Sequence, residues 1–224
     1  MPVGSLEQHG PHLPLDTDTR VAAAVASRAA TERSMLVAPP LSYGASGEHE
    51  AFAGTLSIGH EALRGVLVEL GRSAARWAAR LVFVNGHGGN FPTVPDAVAQ
   101  LRDEGRDAAW FGCGVPGGDA HAGRTETSML LALAPELVRL DAAAAGNTAP
   151  LTELLPALRS GGVAAVSPNG VLGDPAGASA EEGERLLDAM ASQLRAALSR
   201  WEPSAKGQLR PGFGSTSWVP CSKP

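Results

Sequence analysis

Apolar positions along the chain switch repeatedly between a helical period and short continuous runs, and the alternation itself predicts a fold class. Residues 19–33, "TRVAAAVASRAATER", contain no Gly or Pro and place Val21, Ala24, Val25 and Ala29 on one stripe, which predicts a helix. A short buried strand is expected over 34–41, "SMLVAPPL", followed by the loop "SYGASGEHEAFAG". Helical spacing returns over 60–79 through Leu63, Val66, Leu67 and Leu70. "RLVFV" at 80–84, bounded by Asn85-Gly86, is the kind of apolar run that a central parallel strand shows. A helix over 92–104, a strand at "DAAWFGC" (107–113) and a helix over 126–134 continue the alternation. The longest helix is expected over 179–201, with Leu186, Leu187, Met190, Leu194 and Leu198 on one face. "MPVGS" at the start reads as the end of a strand. Strands alternating with helices predict an α/β fold with a parallel sheet wrapped by helices. The stretch 147–170 has no clear period, and the Pro/Gly/Ser-rich residues 202–224 read as an irregular tail pinned by Trp218.

Composition narrows the functional classes. The 224 residues are 44% hydrophobic, enough for a sizeable core, and carry a net charge of −5. That balance speaks against a nucleic-acid partner. No apolar run reaches the roughly 20 residues of a membrane span, so no membrane partner is expected. Two cysteines make no disulfide framework, and a reducing cytoplasm is the expected location.

The candidate chemistry gathers in three loops, each following an expected strand. These are "PVGSLEQHGPHLPLDTD" (2–18), "NGHGGN" (85–90) and "GDAHAGRTETS" (118–128). Ligands of open α/β sheets bind at the carboxyl ends of strands. Glu7 and His9 are two apart and project to the same side of an extended segment. His87 sits among glycines, which permit close backbone approach to a ligand. Glu126 opens a helix, where the dipole favours an ionised carboxylate. With Asp18, these residues offer two imidazoles and three carboxylates without a thiolate, a set suited to zinc, manganese or iron. Five such ligands around a shared carboxylate would suit two metals about 3.5–4 Å apart. Taken singly, His60 and Asp16 read as solvated, His12 as either packed under its prolines or lining a pocket, and "NGHGGN" as a tight turn lacking phosphate-loop spacing.

Together with "PPLSYGASGEHEAFAGTLS" and "GVLGDPAGASAEEG", these motifs resemble the creatininase (creatinine amidohydrolase) family, in order, over residues 2–201. The resemblance implies a three-layer α/β/α sandwich around a mainly parallel sheet, two divalent ions (zinc and/or iron, with manganese also suited) and hydrolysis of an amide-type C–N bond. It also implies a homo-oligomer, often a hexamer. By position, Glu7, His9, Asp18 and His87 match metal ligands, Asp18 as the bridge, and Glu126 is the fifth by likeness to members with an ETS segment. One departure matters: the family's creatinine-hydrolysing members carry a ligand glutamate where this chain has Gly89. With no Trp near the motifs, the resemblance points away from creatinine and toward a branch that releases a C-terminal Val-Tyr dipeptide from a small ribosomal peptide. A formamide or FAPy-type deformylase is the competing branch, and a non-catalytic metal-binding scaffold is the reading from another class. In the hydrolase reading, His121 is the proton shuttle and the amides of Gly88 and Gly89 hold the oxyanion. Glu48 and His49 border the substrate, although His49 reads equally well as a structural hydrogen-bonding residue. Asn85 and Asn90 brace the His87 loop, and Arg20 or Arg124 pairs with a peptide carboxylate. The hydrolase domain is expected to span 1–201, with the tail after it.

Overall fold

The structure, a computed structural model, describes residues 1–30, 35–91 and 93–210. Its elements run β1 (Pro2–Val3), α1 (Thr17–Ala29), α2 (Gly59–Ala74), β2 (Leu81–Asn85), α3 (Thr93–Asp103), β3 (Ala108–Gly112), α4 (Arg124–Leu133), α5 (Leu151–Gly161) and α6 (Ala180–Arg200). The strands form a parallel sheet in the order β1-β2-β3. Val3 lies opposite Asn85, and Asn85 opposite Gly112, so all three strands end at the same level. That register delivers the three motif loops to one edge of the sheet.

Two cores cover the two faces, because successive strand residues point to opposite sides. Val82, Val84, Ala109 and Phe111 pack with α1, α4 and α6 through Val25, Met129, Leu130, Leu187 and Leu194. Phe83, Ala108 and Trp110 pack with α2 and α3 through Leu63, Leu67, Val98 and Leu101. The result is the expected three-layer α/β/α arrangement. Helix α6 opens with Ser179 as N-cap, accepting from the Glu182 amide at 3.2 Å. Gly183 lets it cross α4 at close range, since a Cβ there would stand 1.9 Å from the Ser128 carbonyl oxygen.

Three expectations change. Within the stretch expected as a strand over 34–41, residues 35–40 have no regular structure, and only Leu41 makes a single parallel bridge to Val3. Pro39 and Pro40 lack the N–H that a ladder needs, and Leu36 is 75% exposed. Helix α5 lies in the stretch without a clear period; it carries Pro156 inside it and buries only Leu154 and Leu158. The chain after Glu202 does not leave the domain at once: Trp110 donates to the Gly207 carbonyl, Leu209 donates back to Trp110, and Leu209 is buried in the core. Trp218, the expected anchor of the tail, lies outside the described residues.

Candidate metal centre

The five expected ligands meet at the carboxyl edge of the sheet. Glu7, His9, Asp18 and His87 are all buried. Among the described residues three groups of ligand atoms lie close enough to share an ion: Glu7, Asp18 and His87; His9, Asp18 and Glu126; and Glu7, His9 and His121. Asp18 belongs to the first two, and it alone joins His87 to Glu126. Its Oδ1 lies 3.1 Å from His9 Nε2, and its Oδ2 lies 3.0 Å from His87 Nδ1. Ser5 Oγ donates to Oδ2 at 2.8 Å. Glu126 Oε2 stands 4.0 Å from His9 Nε2 and accepts from the Ala122 amide. Ala122 adopts φ +52°, an uncommon left-handed turn for a non-glycine residue. The turn lets both His121 and Glu126 face the centre. His121 is itself held by backbone bonds in both directions with Leu172.

The imidazoles are oriented as metal ligands usually are, with one nitrogen turned to a backbone carbonyl. His9 Nδ1 lies 3.1 Å from the Glu7 carbonyl, which leaves Nε2 for the centre. His87 Nε2 lies 3.2 Å from the Ala45 carbonyl, leaving Nδ1 beside Asp18. The glycine loop around His87 is braced as expected. Asn85 Nδ2 donates to the His87 carbonyl at 2.7 Å, and Asn90 Nδ2 donates to Asn85 Oδ1 and the Gly4 carbonyl, each at 3.0 Å.

Glu7 tests whether this donor set fits a cation. Neither of its carboxylate oxygens accepts a hydrogen bond, although both are fully buried. His87 Nε2 and His49 Nε2 lie 3.1 and 3.3 Å away without the direction that a hydrogen bond needs. A buried, undonated carboxylate is costly unless a positive charge meets it. Without a metal ion, protons on the imidazoles supply part of that charge. Burial alone would lower His9, yet Asp18 and Glu126 raise it to about 10, and Glu7 and Asp18 raise His87 in the same way. Burial would raise Glu7, but His49 and His87 hold it at about 2. Burial raises Glu126 to about 7. The donor set therefore fits divalent cations, which would take the place of the protons.

The remaining expected residues fall into distinct positions. His121 is buried, with Nδ1 3.9 Å from Glu7 Oε1, and burial together with His9 and His49 keeps it neutral. His49 is buried between Glu7 and Gln8. Gly88 lines a cavity of about 1500 Å³ that also reaches Asp18, His87, His121 and Glu126. Glu48 and Gly89 border a smaller cavity of about 150 Å³ instead. Glu48 Oε1 fills the space where a residue-89 side chain would begin, and lies 3.7 Å from His87 Nε2. Arg20 pairs with Asp16 and Arg124 with Glu182, both at 2.8 Å, and neither borders the large cavity. His12 is buried with Nε2 2.9 Å from Thr127 Oγ1, and His60 Nδ1 lies 2.7 Å from Thr93 Oγ1, away from the centre. The sequence reading missed Gln8 and Ser5, which contact the site from within the first motif. Their only signal was their position among the ligands.

Fold and donor set thus define an α/β protein with a candidate two-cation centre at the carboxyl end of a parallel sheet. A family model described as creatininase, creatinine amidohydrolase, matches residues 1–198, and the chain belongs to the creatininase family. It is 60% identical over 218 residues to the mycofactocin precursor peptide peptidase of Mycobacterium ulcerans (strain Agy99), covering 93% of this chain and 87% of that protein. The protein of the same name from Mycolicibacterium smegmatis is 59% identical over 215 residues, with the same two shares covered. A crystal structure of creatinine amidohydrolase (creatininase) superposes with a TM-score of 0.73 at 29% identity, over 91% of this chain and 90% of that one.

Proposed function

We infer that this chain is a metal-dependent amide hydrolase that releases a C-terminal Val-Tyr dipeptide from the mycofactocin precursor peptide. The observation that carries the hydrolase reading is Asp18, one buried carboxylate common to two ligand groups, beside a Glu7 carboxylate that nothing donates to. Glu7, Asp18 and His87 would hold one divalent ion, and His9, Asp18 and Glu126 the other. Zinc and iron suit the set, and manganese does also. A pair of such ions acidifies water and polarises a carbonyl.

The chain's own residues supply the rest. His121 Nε2 lies 2.8 Å from the Gln8 carbonyl and donates to it, so the lone pair of the neutral ring is on Nδ1, toward the centre. His121 takes up the proton released on attack and returns it to the departing amine. The Gly88 amide is the better placed of the two glycines to meet an oxyanion, since Gly88 borders the large cavity. His49 and Glu48, set back from that cavity, hold Glu7 and His87 in place.

The substrate class follows from space. About 1500 Å³ exceeds the usual small-molecule pocket and suits an extended peptide. A creatinine-sized lactam would need a tight aromatic box. Among the described residues the one Trp on the cavity wall, Trp110, has its ring packed edge-on to Phe91 at 5.4 Å and its Nε1–H bonded to the Lys206 carbonyl. The two peptidase relatives support the peptide reading. Arg20 and Arg124 are both ion-paired and neither borders the large cavity, which speaks against either as the partner of the peptide carboxylate.

A cytoplasmic setting and a homo-oligomer complete the proposal. Among the described residues no helix is long and apolar enough to cross a membrane. Trp77, 70% exposed, and Leu56, 57% exposed, are candidates for a subunit contact. The test is a side-by-side assay of zinc-loaded protein on precursor peptide, creatinine and a formamide. Dipeptide release with negligible creatinine turnover is expected. Fast formamide turnover with the peptide left intact would move the assignment to a deformylase.

A further inference from the structure

Gln8 sits between two candidate ligands and is itself 5% exposed. Its backbone amide donates to Thr55 Oγ1 at 3.1 Å, and its backbone carbonyl faces His121 Nε2 at 2.8 Å. Its side-chain Oε1 accepts from the Gly10 amide at 2.8 Å. A backbone N–H can only donate, so the side-chain atom facing Gly10 is the oxygen and the amide orientation is fixed.

The amide nitrogen then has two hydrogens and three neighbours: His49 Nδ1 at 2.8 Å, His121 Nε2 at 3.1 Å and the Gly170 carbonyl at 3.2 Å. The Gly170 carbonyl can only accept. His121 Nε2 already faces the Gln8 carbonyl, which also can only accept, so that nitrogen carries a hydrogen and cannot receive one from the amide. The two amide hydrogens therefore go to Gly170 and to His49 Nδ1. His49 must carry its own hydrogen on Nε2, the nitrogen 3.3 Å from Glu7 Oε1. His121, with its hydrogen on Nε2, turns the lone pair of Nδ1 toward the same carboxylate. Gly170 is part of the device. It adopts φ +80°, and a Cβ there would stand 2.0 Å from Gln8 Oε1.

We propose that Gln8 is a positioning residue that gives its two neighbouring imidazoles different duties: His49 keeps its hydrogen on Nε2, a dipole beside the Glu7 carboxylate rather than a hydrogen bond to it, and His121 presents a lone pair to the reacting centre. The duty of His121 rests on the hydrolase reading; the hydrogen-bond assignment does not. The test uses the zinc-loaded full chain with ¹⁵N-labelled histidine and long-range ¹H–¹⁵N correlation spectra of the rings. In the wild type, His49 and His121 should both be protonated on Nε2 and bare on Nδ1. Gln8→Glu keeps the shape and the acceptor for Gly10 but removes the donor. In that variant His49 should move its hydrogen to Nδ1, whereas His121 should stay unchanged because its partner is a backbone carbonyl. Turnover of the precursor peptide should fall about 10–100-fold in kcat with KM unchanged, the usual cost of losing a group that orients the inner residues of a metal site. A wild-type His49 protonated on Nδ1, or an unaltered His49 pattern in Gln8→Glu, would overturn the proposal. The wild-type spectrum decides the matter if the variant does not fold. The expected ring pattern in a protein that cleaves no peptide would sink the hydrolase reading and leave Gln8's role intact.

Discussion

Gly89→Ala is a small change with a large expected effect. A Cβ at this position would stand 2.1 Å from Glu48 Oε1, 2.4 Å from His87 Nε2 and 2.6 Å from the Ala45 carbonyl oxygen. Glu48 Oε1 is the end of a flexible side chain and can swing away. The other two cannot move freely. The Ala45 segment is tied by its own amide to Asn90 Oδ1 at 2.9 Å, and the His87 ring is wedged between Glu7 and Asp18. An ordinary contact requires His87 to retreat by about 1 Å, and overpacking of this kind costs about 1–3 kcal/mol. For a chain of this size that lowers Tm by roughly 2–12 °C. A displacement of about 1 Å in a reacting constellation costs on the order of 10²-fold in rate. Thermal melts of the zinc-loaded variant, with turnover of the precursor peptide measured alongside, read both quantities. A Tm and kcat equal to the wild type would refute the reasoning, because the His87 loop would then have room that the geometry denies it.

Other outcomes follow from the same centre. His121→Ala should retain its metal, since the two ligand groups that share Asp18 do not need it, but lose about 10²–10⁴-fold in rate; metal loss in that variant would make His121 a ligand. Chelation should abolish peptide cleavage and zinc should restore it, whereas cleavage that survives exhaustive chelation would end the metal reading. Light scattering at micromolar concentration should find an oligomer; a fully active monomer would contradict the proposed assembly.

Much of the fold was readable because its signals are local. The apolar run "RLVFV" marks the central strand, and the stripe through Leu187, Met190 and Leu194 marks α6, whose buried face it became. The site was partly readable for a related reason. A parallel sheet brings all its strand ends to one edge, so motifs that follow strands are bound to meet there. What stayed hidden depends on how loops fold against each other. Helix α5 was masked by Pro156 and by its small buried face. The strand expected over 34–41 looked apolar enough, but two prolines remove its donors. Gln8 carries no chemistry that a motif search would flag. Its importance comes from His49, His121 and Gly170, which lie 41, 113 and 162 residues away along the chain. Gly89 looked like a lost ligand position in the sequence, whereas in the fold the same space is filled by Glu48 from another loop.

The central claim is that two cations share Asp18, and metal stoichiometry tests it most directly. Purified wild-type protein, Glu7→Ala and Asp18→Ala would be loaded with zinc, dialysed and analysed for metal per chain, with circular dichroism to establish that each is folded. Zinc binding at a four-ligand structural site is worth about 10–16 kcal/mol, or about 2.5–4 kcal/mol per ligand, which is roughly 10²–10³-fold in affinity. Glu7 belongs to one of the two groups that share Asp18, and Asp18 to both. About two ions per chain are expected in the wild type, about one in Glu7→Ala and almost none in Asp18→Ala. Wild-type metal content in a folded Asp18→Ala would contradict the claim.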